Sequence, residues 1–289
     1  MYKIAILGCE NSHANTFLDF IISQKVVSDV EVVGVYSDDM EAAEKLHEKY
    51  GVNVAASYDE FVGKIDGLIV TARHGDNHYK YAKPYISSGI PMFIDKPITC
   101  SEKDAADFMN ELCANNIRIC GGSIVPLAPE ASELSRIVAE KSGGEILGGS
   151  ICCPVSLCND YGDFYFYSQH LAESLLKIFG ANIQSVYAKK RDNAVSVIAS
   201  YPEFDVAASF LERGYKCYAA SVYTADAGVI YRTLNFNSKS FAGRFADILS
   251  GKDCGDDYDS FIKPVALINA IKRSFESGKT ETVNLIRGI

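Results

Sequence analysis

The sequence predicts two domains in tandem: a doubly wound α/β domain with a parallel sheet, then an α+β domain with an open, largely antiparallel sheet. Three observations carry this. Over residues 1 to about 120, short apolar runs alternate with amphipathic stretches of about 10–15 residues, the pattern of βαβ units with right-handed crossovers. Past Gly121-Gly122 the strand-type runs cluster with few helices between them, as in antiparallel sheets. At 289 residues the chain is long for one domain and comfortable for two, here taken as 1–122 and 123–289.

In the first half, residues 3–8 are a continuous apolar run suited to a strand buried on both faces. Ala14, Phe17, Leu18, Ile21 and Ile22 then recur with helical spacing on one face. Residues 30–36 are a Val-rich second strand, and a helix over 39–50 stops at Gly51. GLIVT (67–71) is the next buried strand, with a helix over 77–88 after it. Residues 92–95 form a strand that halts at Lys96-Pro97, because proline has no N–H to donate and fixes its own φ. Ser101 with Asp104 three residues on resembles a capping box for a helix to about 115; 118–120 is a last strand. In the second half, a helix over 129–141 precedes strand-type runs at 145–155, 183–190, 194–201, 206–211, 216–223 and 228–231. A helix at about 168–179, closed by Gly180, interrupts them, and two helices, near 241–250 and 258–277, end the chain.

With 48% apolar and 22% charged residues the composition is ordinary for a globular protein. A net charge of −9 with no basic stripe argues against a nucleic-acid partner. No apolar run approaches the ~18 residues of a membrane span, and the start, MYK followed by IAIL, has no signal-peptide core. A cytoplasmic protein without membrane contact is expected. Nine cysteines are scattered with no C-x-x-C, so no metal is expected, and the thiols are read as reduced and mostly buried.

The chemistry centres on IPMFIDKPIT (90–99). In open α/β sheets ligands sit beyond the carboxyl ends of the strands, so Lys96, held there by Pro97, is a candidate acid/base group; the alternative is an Asp95–Lys96 ion pair that merely caps a strand. The first strand–turn–helix, where a dinucleotide pyrophosphate would rest, reads Gly8-Cys9-Glu10-Asn11-Ser12-His13. Only the first glycine of G-x-G-x-x-G remains: Glu10 and His13 replace the others. A carboxylate beside a pyrophosphate is unfavourable by roughly 1–3 kcal/mol, which Asn11 and Ser12 offset as caps or phosphate donors. The alternative is a capped turn with no nucleotide. At the end of the second strand, where an acid usually binds the ribose of NAD, Ser37-Asp38 stands instead. Asp38 suits a 2′-hydroxyl and repels a 2′-phosphate, so the cofactor expected is NAD or NADP, with NAD favoured. His74 and His78, after the GLIVT strand, are either cofactor contacts or helix caps. His170, on a polar–apolar helix after the aromatic run 164–167, would pair with Lys96 for alcohol–ketone interconversion.

These segments resemble the glucose–fructose oxidoreductase, inositol dehydrogenase and rhizopine-catabolism family (Gfo/Idh/MocA) along the whole chain. GIPMFIDKPIT resembles its E-K-P motif with Asp95 for Glu. LIVTARHGDNHYKYAKPYISSG is similar to its ATPNHLHYEYA stretch, and SQHLAESLLKIFG to its G-x-H-x-x-D-x-x-x-x-x-x-G segment. Residues 258–262 match its closing helix loosely. The resemblance implies a Rossmann domain and a second α/β domain whose open sheet forms a homodimer or homotetramer interface. It also implies hydride transfer between NAD(P) and a hydroxyl carbon of a sugar or cyclitol. Lys96 would then act on the substrate oxygen with His170 as its acid/base partner. Tyr161 and Asp163 would lie near the small-molecule substrate. The cofactor would run along Gly8, Asn11, Ser12, His13, Ser37, Asp38, Thr71, Ala72, His74, His78 and Asp95. Departures are Phe166 where an Asp is common, Ser168 for Gly, and Gly122-Ser123-Ile124-Val125 where the family has an Arg-containing signature. These departures support a rival expectation, a non-catalytic or regulatory ligand-binding protein on the same scaffold.

Overall fold

A computed structural model describes residues 1–284. The described residues divide into two compact units, Met1–Gly122 with Ser238–Phe261, and Ser123–Asn237 with 262–284.

In the first unit, β1 (Tyr2–Leu7), β2 (Val30–Tyr36), β3 (Gly67–Val70), β4 (Met92–Asp95) and β5 (Ile119–Gly122) form one parallel sheet in the order β2-β1-β3-β4-β5. β3 and β4 are buried at every residue, which is why both read as unbroken apolar runs. The helix α1 (Ser12–Leu18) is capped by Asn11, whose side chain accepts the His13 N–H. It passes directly into a π-helical turn, Asp19–Ser23, that buries Phe20 and Ile21. The added residue shifts the inward face by one position, and Ile22, expected inside, is only half-buried. α2 (Met40–Tyr50) starts under an Asp39 cap and ends at Gly51, whose φ of 71° suits glycine. The single helix expected over 77–88 is two segments: α3 (Asp76–Ala82) and a 3-10 turn, Lys83–Ser88. Pro84 removes one amide donor and its ring clashes with the preceding turn, so the chain tightens there. α4 (Glu102–Ala114) opens as expected, with Ser101 accepting the Asp104 N–H.

The second unit holds α5 (Pro129–Glu140), β6 (Ile146–Pro154), α6 (Tyr165–Phe179), β7 (Ser185–Arg191), β8 (Ala194–Ser200), β9 (Asp205–Leu211), β10 (Ala219–Thr224) and β11 (Gly228–Thr233). α6 begins three residues before the expected 168, because the aromatics 165–167 form its first turn. Next comes α7 (Lys239–Leu249), which returns to the first unit. The expected second domain of 123–289 is therefore not continuous. The reason is apolar packing: Phe241 meets Phe93 edge-on at 5.0 Å, and Phe245 and Leu249 fill the space over Gly67. α8 (Asp259–Ser277) follows. The two-residue strand β12 (Glu281–Thr282), not expected from sequence, pairs with β7.

The second sheet has the order β11-β10-β6-β9-β8-β7-β12 and is antiparallel except for the β6–β9 pair. Its strands alternate buried and exposed residues, so one face is covered and the other open. On β9 it is Val206, Ala208 and Phe210 that are buried and Ala207 that is exposed, so the large apolar side chains of this strand belong to the core. Tyr187, Ile198, Ala207, Ser150, Ser221 and Tyr231 instead pair in one row across six strands. Only Cys9, Cys120 and Cys153 are buried, and Cys158 and Cys217 are exposed, so the thiols are less buried than expected. Among the described residues no helix is long and apolar enough to cross a membrane.

Candidate active site

The parallel strands of the first unit end together, and their first non-strand residues, Gly8, Ser37, Thr71 and Lys96, line the carboxyl edge of the sheet. Gly8 has φ +80°, and a Cβ there would lie 2.4 Å from the Ala72 backbone; only glycine lets the two turns meet. Thr71 completes the junction, its hydroxyl donating to the Gly8 carbonyl at 3.0 Å.

Asp95 closes β4 as the hub of this edge. It is fully buried. One carboxylate oxygen accepts from His13 Nδ1 at 2.5 Å and Asn11 Nδ2 at 3.3 Å, the other from the Lys96 N–H at 2.8 Å. Burial alone would raise its pKa, but His13, Lys96 and His78 outweigh that and hold it below the usual carboxylate range. The carboxylate thereby ties the first turn to the end of β4. Lys96 is also buried. Burial pushes its amine below the ordinary lysine value and Arg73 adds to this, while Asp95 opposes. A lysine shifted that way serves as a proton acceptor near neutrality far better than an exposed one.

His78 is wholly buried in α3, its Nδ1 donating to the Pro97 carbonyl at 2.6 Å. Nε2 has no partner, and burial lowers the ring's pKa. It braces the Lys96-Pro97 turn in its neutral form. His74 Nδ1 accepts the Asp76 N–H at 3.3 Å, and Asp76 accepts the Cys100 N–H at 3.1 Å. His74, Asp76 and Cys100 place ligand-type atoms within 4.8 Å of one another. Burial and Asp76 push the Cys100 thiol up to about 12, and the Asp76–Cys100 bond joins the start of α3 to the turn after β4.

At the β2 end, Asp38 already has three partners. Tyr36 Oη donates to it at 2.6 Å, Lys80 pairs with it at 3.3 Å, and Tyr81 adds a third donor. Burial would raise the Asp38 pKa, but these donors lower it. Glu10 reaches this corner from the first turn: Ser37 Oγ donates to Oε2 at 2.7 Å and the Arg73 N–H to Oε1 at 2.9 Å. In the sequence Glu10 reads only as a repulsive charge, since its partners lie 27 and 63 residues away.

His170 belongs to the second unit, on α6. Its Nδ1 lies 2.7 Å from Ser123 Oγ, which also accepts the Val125 N–H. Glu173, one helical turn further on, accepts the Ser123 N–H with both oxygens at 3.0 and 2.9 Å and takes the Gln169 amide. Ser123 and Glu173 were missed as site residues, although Glu173 stands where the family segment has its Asp, three positions after the histidine. Asp163 has φ +51° and accepts the Asn159 N–H at 2.9 Å, shaping its own loop, while the Tyr161 ring lies 5.2 Å from Phe166.

A parallel sheet in this strand order, with polar side chains gathered at its carboxyl edge, defines a doubly wound α/β unit of the ligand-binding kind. Residues 2–121 match the family model GFO_IDH_MocA, the oxidoreductase family with an NAD-binding Rossmann fold. That match lies within the first unit. No curated protein matches the sequence. Among solved structures, the whole chain is similar in fold to scyllo-inositol dehydrogenase from Lactobacillus casei (TM-score 0.80, 14% identity, 98% of each chain covered). It is also similar to myo-inositol 2-dehydrogenase from Lactobacillus plantarum (TM-score 0.79, 14% identity, covering 98% of this chain and 99% of that one). A third is GenD2 from gentamicin A biosynthesis in complex with NAD (TM-score 0.80, 13% identity, covering 98% and 96%).

Proposed function

We propose that the protein is an NAD-dependent dehydrogenase acting on a hydroxyl carbon of a sugar, cyclitol or related polyol. The observation that carries this is Lys96, a buried amine held below its ordinary pKa at the carboxyl end of β4 in a segment of NAD-binding oxidoreductase type. The residues suit the cofactor: Gly8 keeps the first turn low against Ala72, and Asn11, Ser12 and His13 lie along it with Thr71 and Ala72 beside it. The nicotinamide ring supplies the hydride chemistry when bound. Lys96, as the neutral amine, accepts the hydroxyl proton during oxidation and returns it during reduction. Asp95 orients the Lys96 turn, and its charge steadies the ammonium that forms. His170, with Ser123 and Glu173 around it, is the second proton carrier of the proposal, and Tyr161 and Asp163 are its substrate contacts. The open sheet face of the second unit joins two copies of the chain.

The neighbours named as inositol dehydrogenases support the polyol class. In the test, purified protein is titrated calorimetrically with NAD⁺, NADH, NADP⁺ and NADPH, then assayed with polyols and sugars. Lys96→Ala is expected to keep NAD⁺ affinity and lose about 10²–10⁴-fold in turnover. In the oxidation direction, wild-type kcat rises with pH as Lys96 loses its proton, levelling off below the ordinary lysine value. Absence of dinucleotide binding up to millimolar concentration favours the regulatory alternative, which the carboxylate of Glu10 in the first turn motivates.

A further inference from the structure

We propose that Glu10 is the cofactor-selecting residue: its carboxylate receives the adenosine ribose hydroxyls and excludes a 2′-phosphate. This rests on the dinucleotide-dependent reading above. Doubly wound nucleotide-binding units ordinarily take that carboxylate from the end of β2. Here the β2 end offers Ser37, and the adjacent Asp38 is committed to Tyr36, Tyr81 and Lys80. The carboxylate that does stand over the β2 end comes from the first turn. Ser37 Oγ and the Arg73 N–H each hold one Glu10 oxygen, at 2.7 and 2.9 Å. These two donors, from the turns after β2 and β3, fix the group on either side of β1.

A carboxylate accepts about four hydrogen bonds, two at each oxygen, and the two tethers use one at each. What remains is one acceptor position on each oxygen, side by side, which matches the spacing of a vicinal diol. A phosphate on the 2′-oxygen would replace a donor by a dianion against a fixed negative charge. The same tethers that position Glu10 for a diol prevent it from swinging aside for a phosphate. Glu10 thus does the work of the missing β2 acid, from a position that the glycine fingerprint reserves for a residue without a side chain.

In the test, full-length wild type, Glu10→Gln and Asp38→Asn are titrated calorimetrically with NAD⁺ and with NADP⁺. Wild type is expected to bind NAD⁺ the more tightly. Glu10→Gln, which keeps the shape and removes the charge, is expected to weaken NAD⁺ about 3–10-fold and strengthen NADP⁺ about 10-fold. Asp38→Asn is expected to leave the NAD⁺/NADP⁺ ratio within about twofold, because its carboxylate is already held by Tyr36, Tyr81 and Lys80. If Glu10→Gln does not fold, Ser37→Ala replaces it: loss of the hydroxyl tether is expected to weaken NAD⁺ about threefold or more. An unchanged ratio in Glu10→Gln, an unchanged NAD⁺ affinity in Ser37→Ala, or a shifted ratio in Asp38→Asn each overturns the assignment while leaving the oxidoreductase reading standing. Failure of wild type to bind either dinucleotide overturns both.

Discussion

At the scale of single residues, the first unit's site is built on buried groups whose protonation states are set by their neighbours. His78 shows the consequence for stability. Its ring is fully buried, and burial lowers its pKa from 6.5, so it folds neutral. Below about pH 6.5 the unfolded chain takes up a proton that the folded chain refuses, and stability therefore falls as the pH drops through that range. Above it the penalty vanishes. His78→Gln removes the titration along with the bond to Pro97. The variant is expected to be less stable at pH 7.5 by about 1–2 kcal/mol yet to lose less between about pH 7 and 5 than wild type, as melting curves would show. Parallel pH profiles would contradict this account. Asp95 acts in the same direction but at lower pH. Its depressed pKa keeps its contribution intact until the pH falls below the ordinary carboxylate range, about 4, so it does not confuse the test. Lys96 was legible in sequence because a strand that must stop at proline announces its own end. Glu10 was not, because its meaning depends on a hydroxyl and an amide that only the folded sheet brings to it.

At the scale of elements, what the sequence reveals depends on how local the cause is. β3 and β4 were readable because burial on both faces demands an uninterrupted apolar run. Gly51 and Ser101 were readable because caps act within one turn. The destination of α7 was not. An amphipathic helix states that one face is covered but not what covers it, and α7 covers the first sheet from 117 residues beyond that sheet's last strand. Several contacts hold it there. Phe241 lies against Phe93, Arg118 Nε donates to the Ile248 carbonyl at 2.9 Å, and Arg244 pairs with Asp256 in the loop that follows. Phe241 is 4% exposed, so Phe241→Ala is expected to cost about 3–5 kcal/mol of stability in denaturant unfolding. The same variant uncovers one side of Phe93, one residue from the Asp95 hub's own strand neighbour Ile94. Cofactor affinity is therefore expected to weaken together with stability. A loss below about 1 kcal/mol would mean that α7 is only loosely seated.

At the scale of the whole molecule, the open face of the second sheet is the proposed meeting surface of two copies. A row running Tyr187, Ile198, Ala207, Ser150, Ser221 and Tyr231 crosses six strands with small residues at its centre and large apolar ones toward both ends. Tyr187 is 46%, Ile198 42% and Tyr231 57% exposed. Small central side chains let a second sheet approach closely, and the outlying large side chains supply apolar area to bury. A stable pairing needs about 800 Å² on each copy. The net charge of −9 opposes association only weakly at physiological salt, where charges more than about 8 Å apart are screened. Light scattering on the purified protein is thus expected to give twice or four times the chain mass. Tyr187 and Ile198 stand opposite each other on β7 and β8, so replacing both with Asp sets two charges together at the interface and leaves the covered face untouched. That double variant is expected to run as a monomer with an unchanged far-UV spectrum. If it keeps the wild-type mass, the copies meet elsewhere; if wild type is itself monomeric, this face is not a self-association surface.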